Sequence, residues 1–257
     1  MTPLTEIEEQ TFKQQTLEKL AKTSYACSAL SKLSGGTANF VYRGTLHQPL
    51  SGHHSDAGIA SSETTVVVKR STDFVAINRD FPLDITRCVF EESVLRALAG
   101  FSQDIATPGG HAVVEAPRLY YFDRETHIQV LQDFAGTTDL RTILQSSYVN
   151  EALPGDSPRC VGRALGSWLR LFHNWASQPA QKHLLALVGP NPAMRRLKCL
   201  ITYGSFIEIL ERYPEIIEGH RGTLEDVKAA MQYEFERPVT DADESRGLIY
   251  GDFWAGK

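Results

Sequence analysis

Near residue 137 the chain changes character. Upstream, short runs of β-branched and aromatic residues are separated by turn residues; downstream, apolar residues recur at helical spacing. Strands first and helices afterwards do not make alternating βαβ units, so the order predicts an α+β fold in two parts joined by a short connector. In the first part strands are expected within 40–44, 64–70, 117–123 and 127–134, with helices over 4–22 and 87–99. The opening helix carries Thr5 and Glu8 at capping-box spacing and a loose apolar face of Ile7, Phe12, Leu17, Leu20 and Ala21. Residues 46–63 are small and polar and predict an exposed loop, in which the adjacent His53 and His54 read as solvated surface. In the second part helices are expected over 138–147, 159–176, 179–187, 193–213 and 222–236. The one over 159–176, with Leu165, Trp168, Leu169, Phe172 and Trp175, is apolar enough for a central core helix.

At 257 residues the chain can hold two lobes around a real core, and 42% hydrophobic with 22% charged residues is ordinary for a globular protein. Its net charge of −5, from 26 basic and 31 acidic residues, offers no basic excess for nucleic acid or an anionic membrane. Cys27, Cys88, Cys160 and Cys199 are far apart and form no Cys-x-x-Cys pair, which argues against zinc or a disulfide framework and for reduced thiols. The acidic start, with Glu6, Glu8 and Glu9, lacks the basic and apolar regions of a signal peptide, and no apolar run approaches a membrane span. These features predict a cytoplasmic protein with no nucleic-acid and no membrane partner.

Five places carry residues suited to chemistry. The string LSGGTANF, residues 33–40, holds Gly35 and Gly36, whose bare backbone lets N–H groups approach phosphate oxygens; the hydroxyls of Ser34 and Thr37 flank them. The same string reads equally as a hairpin turn. Lys69 ends an otherwise apolar strand: buried, it needs an anion, and otherwise it snorkels to solvent. Glu91 lies three, four and seven residues before Val94, Leu95 and Leu98, so it shares their inward face and is the preferred partner for Lys69. Glu92 falls with Arg96 and Ala99 on a face expected to be more exposed, and is the fallback. VLQDF, residues 130–134, stands at the change from strands to helices. Finally, YGDFWAG, residues 250–256, puts Asp252 after Gly251 among aromatics, where a carboxylate can accept or orient a hydroxyl proton, or sit in an ordinary turn. Phosphoryl transfer needs a backbone cradle, a fixed cation, a metal and a group that orients the attacking hydroxyl. Glycine pair, strand lysine, helix glutamate, connector and loop aspartate come in the order such an enzyme uses.

The strings GDFWAG, LSGGTANFVYR and GRALGSWLRLFHNWA, the last around His173, resemble the catalytic loop, phosphate loop and long core helix of the aminoglycoside phosphotransferase and choline kinase-like family, with the methylthioribose kinase-like branch nearest. The resemblance covers about residues 25–257. It implies a bilobal protein-kinase-like fold: a nucleotide-binding N-lobe over 1–132, with a leading helix and an antiparallel sheet carrying one helix, and a mostly helical, incomplete C-lobe over 133–257. It implies ATP and Mg²⁺ as cofactors and a small-molecule hydroxyl as acceptor. Lys69 would hold the α- and β-phosphates and Glu91 would hold Lys69. Ser34, Gly35, Gly36 and Thr37 would cover the phosphates, the backbone near Gln132 and Phe134 would meet the adenine, and Asp252 would be the catalytic aspartate. Two positions depart from the family. Tyr250 stands in place of a histidine, and Lys257 in place of a metal-binding asparagine, where its charge repels a cation. No residue of the chain is therefore assigned to the metal. With the chain ending at that motif, the expectation is a truncated kinase that transfers phosphate poorly, or alternatively a non-catalytic nucleotide- or partner-binding pseudokinase. Aminoglycoside, choline, methylthioribose and fructosamine acceptors all stay open, as does the oligomeric state. An unrelated α+β binding module would leave Lys69 and Glu91 apart.

Overall fold

The computed structural model describes residues 2–33, 36–50, 62–107, 110–147, 151, 155, 157–189, 191–237 and 248. They fall into two compact units, one reaching Leu171 and the other beginning at Phe172. Helix α1 (Glu6–Leu20) starts at Thr5, whose hydroxyl oxygen accepts the Glu8 N–H while the Glu8 carboxylate accepts the Thr5 N–H, closing the capping box. Strands β1 (Cys27–Lys32), β2 (Phe40–Leu50) and β3 (Glu63–Arg70) follow. A short hairpin, β4 (Phe74–Val75) with β5 (Asn78–Pro82), leads into helix α2 (Arg87–Ala97). A second hairpin, β6 (Ser102–Thr107) with β7 (Gly110–Glu115), precedes β8 (Leu119–Asp123) and β9 (Ile128–Gln132). The main sheet has the order β1-β2-β3-β9-β8, and every neighbouring pair is antiparallel. The observed class is α+β.

Period-two alternation gives this sheet two different faces. On one, Leu30, Phe40, Tyr42, Leu46, Val66, Val68, Ile128 and Val130 pack with Leu20 of α1 into a buried cluster. Each side chain of Val or Leu size contributes about 1.5–3 kcal/mol when fully buried, so this layer dominates the unit's stability. The helix presents Phe12, Thr16 and Leu20 to the sheet, at successive intervals of four. The Phe12 and Phe40 rings lie 5.2 Å apart, and the buried Thr16 hydroxyl bonds back to the Phe12 carbonyl at 2.7 Å. Ile7 and Ala21, expected on that face, are exposed. Arg70 closes the edge of the layer, its guanidinium 4.1 Å above the Phe12 ring and its Nη1 donating to the Phe12 carbonyl.

The other face carries Val41 and Arg43 of β2, Thr65, Val67 and Lys69 of β3, and Gln129 and Leu131 of β9, placed together by the strand register. Helix α2 lies on this face, where the buried Gln129 amide donates to the Cys88 carbonyl. The turn between β8 and β9 holds both helices. Lys19 of α1 reaches Asp123 at 3.1 Å and Glu125 at 3.0 Å, and Arg124 reaches Glu92 of α2 at 2.8 Å. His127 has a positive φ of 54° in that turn, an uncommon conformation for a residue with a Cβ.

Beyond β9, helix α3 (Leu140–Gln145) is capped by Asp139, whose carboxylate accepts the Thr142 N–H at 2.8 Å. Helix α4 (Ser157–Ala176) buries Ala164, Trp168, Phe172 and Ala176, a stripe spaced by four, with Trp168 edge-on to Phe101. The second unit continues with α5 (Lys182–Val188), α6 (Pro192–Cys199), α7 (Phe206–Leu210), α8 (Pro214–Ile217) and α9 (Arg221–Glu236). Two expectations are corrected. Residues 46–50 are not loop but the end of β2: Leu46 is buried and Leu50 pairs with Glu63. Residues 193–213 are not one helix. The backbone widens into a π turn over Leu200–Gly204, and α7 restarts after Gly204 and Ser205, residues that hold a helix weakly. His53 and His54 lie outside the described residues. Among the described residues no helix is long and apolar enough to cross a membrane.

Candidate functional site

The alternation that buries Val66 and Val68 turns Lys69 to the opposite face, toward α2. There the Lys69 Nζ lies 2.5 and 2.6 Å from the two Glu91 carboxylate oxygens. The side chains are 17% and 35% exposed, so the pair is fixed yet open on one side to solvent. A held ammonium of this kind is a point charge that can take a phosphate oxygen without losing its counter-ion. Beside it on the same face, Val41 and Val67 are half-buried and form apolar floor.

Of the glycine-loop residues, Gly36 and Thr37 are described and both are exposed; Ser34 and Gly35 lie outside the described residues. The loop's neck is closed by the Leu33 N–H donating to the Val41 carbonyl at 2.9 Å. The limb leaving the glycines is tied to the β4–β5 hairpin, with Ile77 N–H donating to Thr37 O at 3.3 Å and Ala76 N–H to Ala38 O at 3.4 Å.

Gln132 and Phe134 flank the connector. The Gln132 N–H is already engaged, donating to the Arg118 carbonyl at 2.9 Å, and Phe134 is exposed, with its carbonyl accepting from Thr137. Between them sits a residue that sequence reasoning missed. The Asp133 side chain is only 3% exposed; it takes Arg43 through two hydrogen bonds of 2.7 and 3.0 Å and the Thr65 hydroxyl at 2.7 Å. The carboxylate in turn holds the Arg43 guanidinium more firmly protonated than usual. The available signal was a pair of polar positions, Arg43 of β2 and Thr65 of β3, that the alternation of their strands turns to one sheet face, since a charge facing a layered fold needs a partner.

The exposed setting expected for Glu92 is also corrected. Its side chain is 5% exposed and bonds Arg96 at 2.9 Å and Arg124 at 2.8 Å. It points to the β8–β9 turn because Cys88 and Glu92, one helical turn apart, are the positions α2 buries. Asp252, Tyr250 and Lys257 lie outside the described residues. Among the described residues no cluster of three or more His, Cys, Asp or Glu could hold a metal ion.

No protein-family model matches the chain. Phosphotransferase FrzJ of Cladobotryum sp is 27% identical over 248 residues, covering 94% of this chain and 61% of that protein. The similarity is to kinase-type enzymes. It extends to 4-hydroxytryptamine kinase of Psilocybe cubensis, 24% identical over 147 residues, or 57% of this chain and 36% of that kinase. The chain thus spans 61% and 36% of the lengths of these curated relatives.

Proposed function

We propose that this chain is a small-molecule phosphotransferase of kinase type, binding ATP with Mg²⁺ and serving transfer to a hydroxyl of a small acceptor. The observation that carries the reading is the Lys69–Glu91 pair, half-open beside the apolar floor of Val41 and Val67. A fixed cation next to apolar surface fits a nucleoside triphosphate, which offers a flat base and an anionic tail. The similarity to two proteins named as phosphotransferase and kinase supports the same reading. Under it the fold is bilobal and protein-kinase-like, with a nucleotide-binding lobe over 1–132 and a helical lobe from 133.

When bound, ATP supplies the transferable phosphoryl group and Mg²⁺ offsets part of its charge. Lys69 then neutralises phosphate oxygens and Glu91 keeps its ammonium in place. Ser34, Gly35, Gly36 and Thr37 cover the phosphates with backbone N–H groups and hydroxyls. The connector around Gln132 and Phe134 meets the base edge, and Asp252 orients the acceptor hydroxyl. A hydroxylated amine, the type of compound the Psilocybe cubensis kinase is named for, is one acceptor class to assay. A second reading, nucleotide binding without efficient transfer, is favoured by Tyr250 and Lys257, which in sequence replace the histidine and the metal-binding asparagine that the resemblance leads one to expect.

Calorimetry of ATP binding, with and without Mg²⁺, tests both. Binding that Lys69→Ala abolishes supports the nucleotide site, and dependence on Mg²⁺ favours the transferase. Binding indifferent to Mg²⁺ favours the second reading. Undiminished binding by Lys69→Ala would remove the basis of both.

A further inference from the structure

Arg87 opens helix α2 one turn before Glu91 and has no part in the site so far described. Its side chain is half-buried, with Nε among the buried polar atoms. Nη1 donates to the Thr72 carbonyl at 2.7 Å and to the Asp84 carbonyl at 2.9 Å, and Nη2 donates to the Asn39 side-chain oxygen at 2.7 Å. Thr72 and Asp84 bracket the β4–β5 hairpin, so Arg87 pins its base; Leu83 N–H donating to Asp73 O at 2.8 Å closes it further. The hairpin's turn residues, Ala76 and Ile77, are those that bond the glycine loop at Ala38 and Thr37. The limb from Thr37 to Asn39 is thus held by two routes, and both lead to the first turn of the helix that carries Glu91. Burial of the guanidinium lowers the Arg87 pKa.

We propose that Arg87 is a positioning residue of the nucleotide site: through Asn39 and the β4–β5 hairpin it fixes the Thr37–Asn39 limb relative to the Lys69–Glu91 pair, so that both serve one polyphosphate. The inference rests on the nucleotide reading above. Its physical ground is entropy. A limb held in place beforehand has less conformational freedom to lose on binding, and a brace that removes this freedom raises affinity. The gain belongs to the phosphates that the loop touches and not to the nucleoside.

The test measures binding of ATP by calorimetry, and of adenosine by competition, to the full chain and to Asn39→Leu, Arg87→Gln and Lys69→Ala. Arg87→Gln also strips the hairpin base of its donors, so Asn39→Leu, which leaves the Thr72 and Asp84 contacts in place, is the deciding variant. Loss of a hydrogen bond to a charged group is expected to weaken ATP binding about tenfold or more. Adenosine binding is expected to stay as in the unaltered chain. Equal weakening of ATP and adenosine by Asn39→Leu, or no weakening of either, overturns the brace. If Lys69→Ala abolishes ATP binding while Asn39→Leu is silent, the brace alone is wrong. If the unaltered chain binds no ATP, the nucleotide reading fails and the brace with it.

Discussion

Glu91 and Glu92 are neighbours in the chain and opposites in setting. Glu91 pairs directly with Lys69 and is partly exposed; Glu92 is buried between Arg96 and Arg124, whose own side chains are 56% and 69% exposed. Removing either arginine leaves Glu92 one partner, whereas removing both strands a buried charge. The Arg96→Ala, Arg124→Ala double variant is therefore expected to lose about 3–5 kcal/mol. Glu92→Gln should lose less, because its former partners return to water. Glu91→Gln should lose less than the double variant, because the Lys69 ammonium it leaves keeps some access to solvent. Urea unfolding ranks the three, and a Glu91 variant less stable than the double arginine variant would sink the argument. The sequence already pointed from Lys69 to Glu91, which shares a helix face with Val94, Leu95 and Leu98. It could not point to Glu92, whose partner Arg124 arrives from a turn 32 residues later. Asp133 was hidden for the same reason: its partners Arg43 and Thr65 sit on two other strands.

Among the elements, β2 shows how tightly the sheet is packed. A Cβ added at Gly44 would lie 2.7 Å from the Cys27 sulfur, 3.2 Å from Val68 Cγ2 and 3.3 Å from Leu30 Cδ2. Gly44→Ala is therefore expected to cost about 1–3 kcal/mol through overpacking. Adding Cys27→Ala should restore part of that loss, and a double variant no more stable than Gly44→Ala would show that the sulfur is not the obstacle. The thiol itself is pushed up to about 11 by burial, so Cys27 should resist alkylation at neutral pH until the sheet opens.

The turn from β8 to β9 carries an acid-side prediction. Burial alone would raise the Asp123 pKa, but the Lys19 ammonium and the Glu125 and Thr126 N–H groups together hold it below its usual value. A lowered carboxylate pKa stabilises the fold at pH above the unfolded value of about 3.9. That stability is lost as pH falls through the folded value. Lys19→Met, lacking the cation, should then lose less stability than the unaltered chain between neutral pH and about pH 2. Parallel pH profiles from urea unfolding would dismiss the clasp.

At this scale too, legibility followed periodicity. The strand over 64–70 and the helix over 87–99 carry long patterns and emerge at nearly those bounds. Strands β4 to β7 lie in two hairpins whose short runs hold no such pattern.

For the whole molecule, the order of strands before helices was visible in composition. The change of pattern lies near residue 137, whereas the compact units divide between Leu171 and Phe172. Tertiary packing such as Trp168 on Phe101 draws the start of α4 into the sheet unit, and no local pattern reports such a contact. The two units also differ in how they bury apolar surface. The sheet unit encloses a continuous core from Leu20 to Val130. The described helices of the second unit leave Ile201, Ile209, Tyr213, Ile216 and Tyr233 at least half exposed, and α7 and α8 are only five and four residues long. Short helices with little buried area open at low free energy, while amides in a closed core exchange only near the global unfolding cost. Hydrogen exchange should therefore be slowest over Val66–Val68 and Ile128–Val130 and fastest in α7 and α8. Because β3 also carries Lys69, a slow β3 means the cation is mounted on the most rigid strand of the chain. If amides of α7 and α8 outlast those of β3 and β9, stability is centred in the helical unit, and Lys69 stands on a mobile support that would have to be ordered by its ligand.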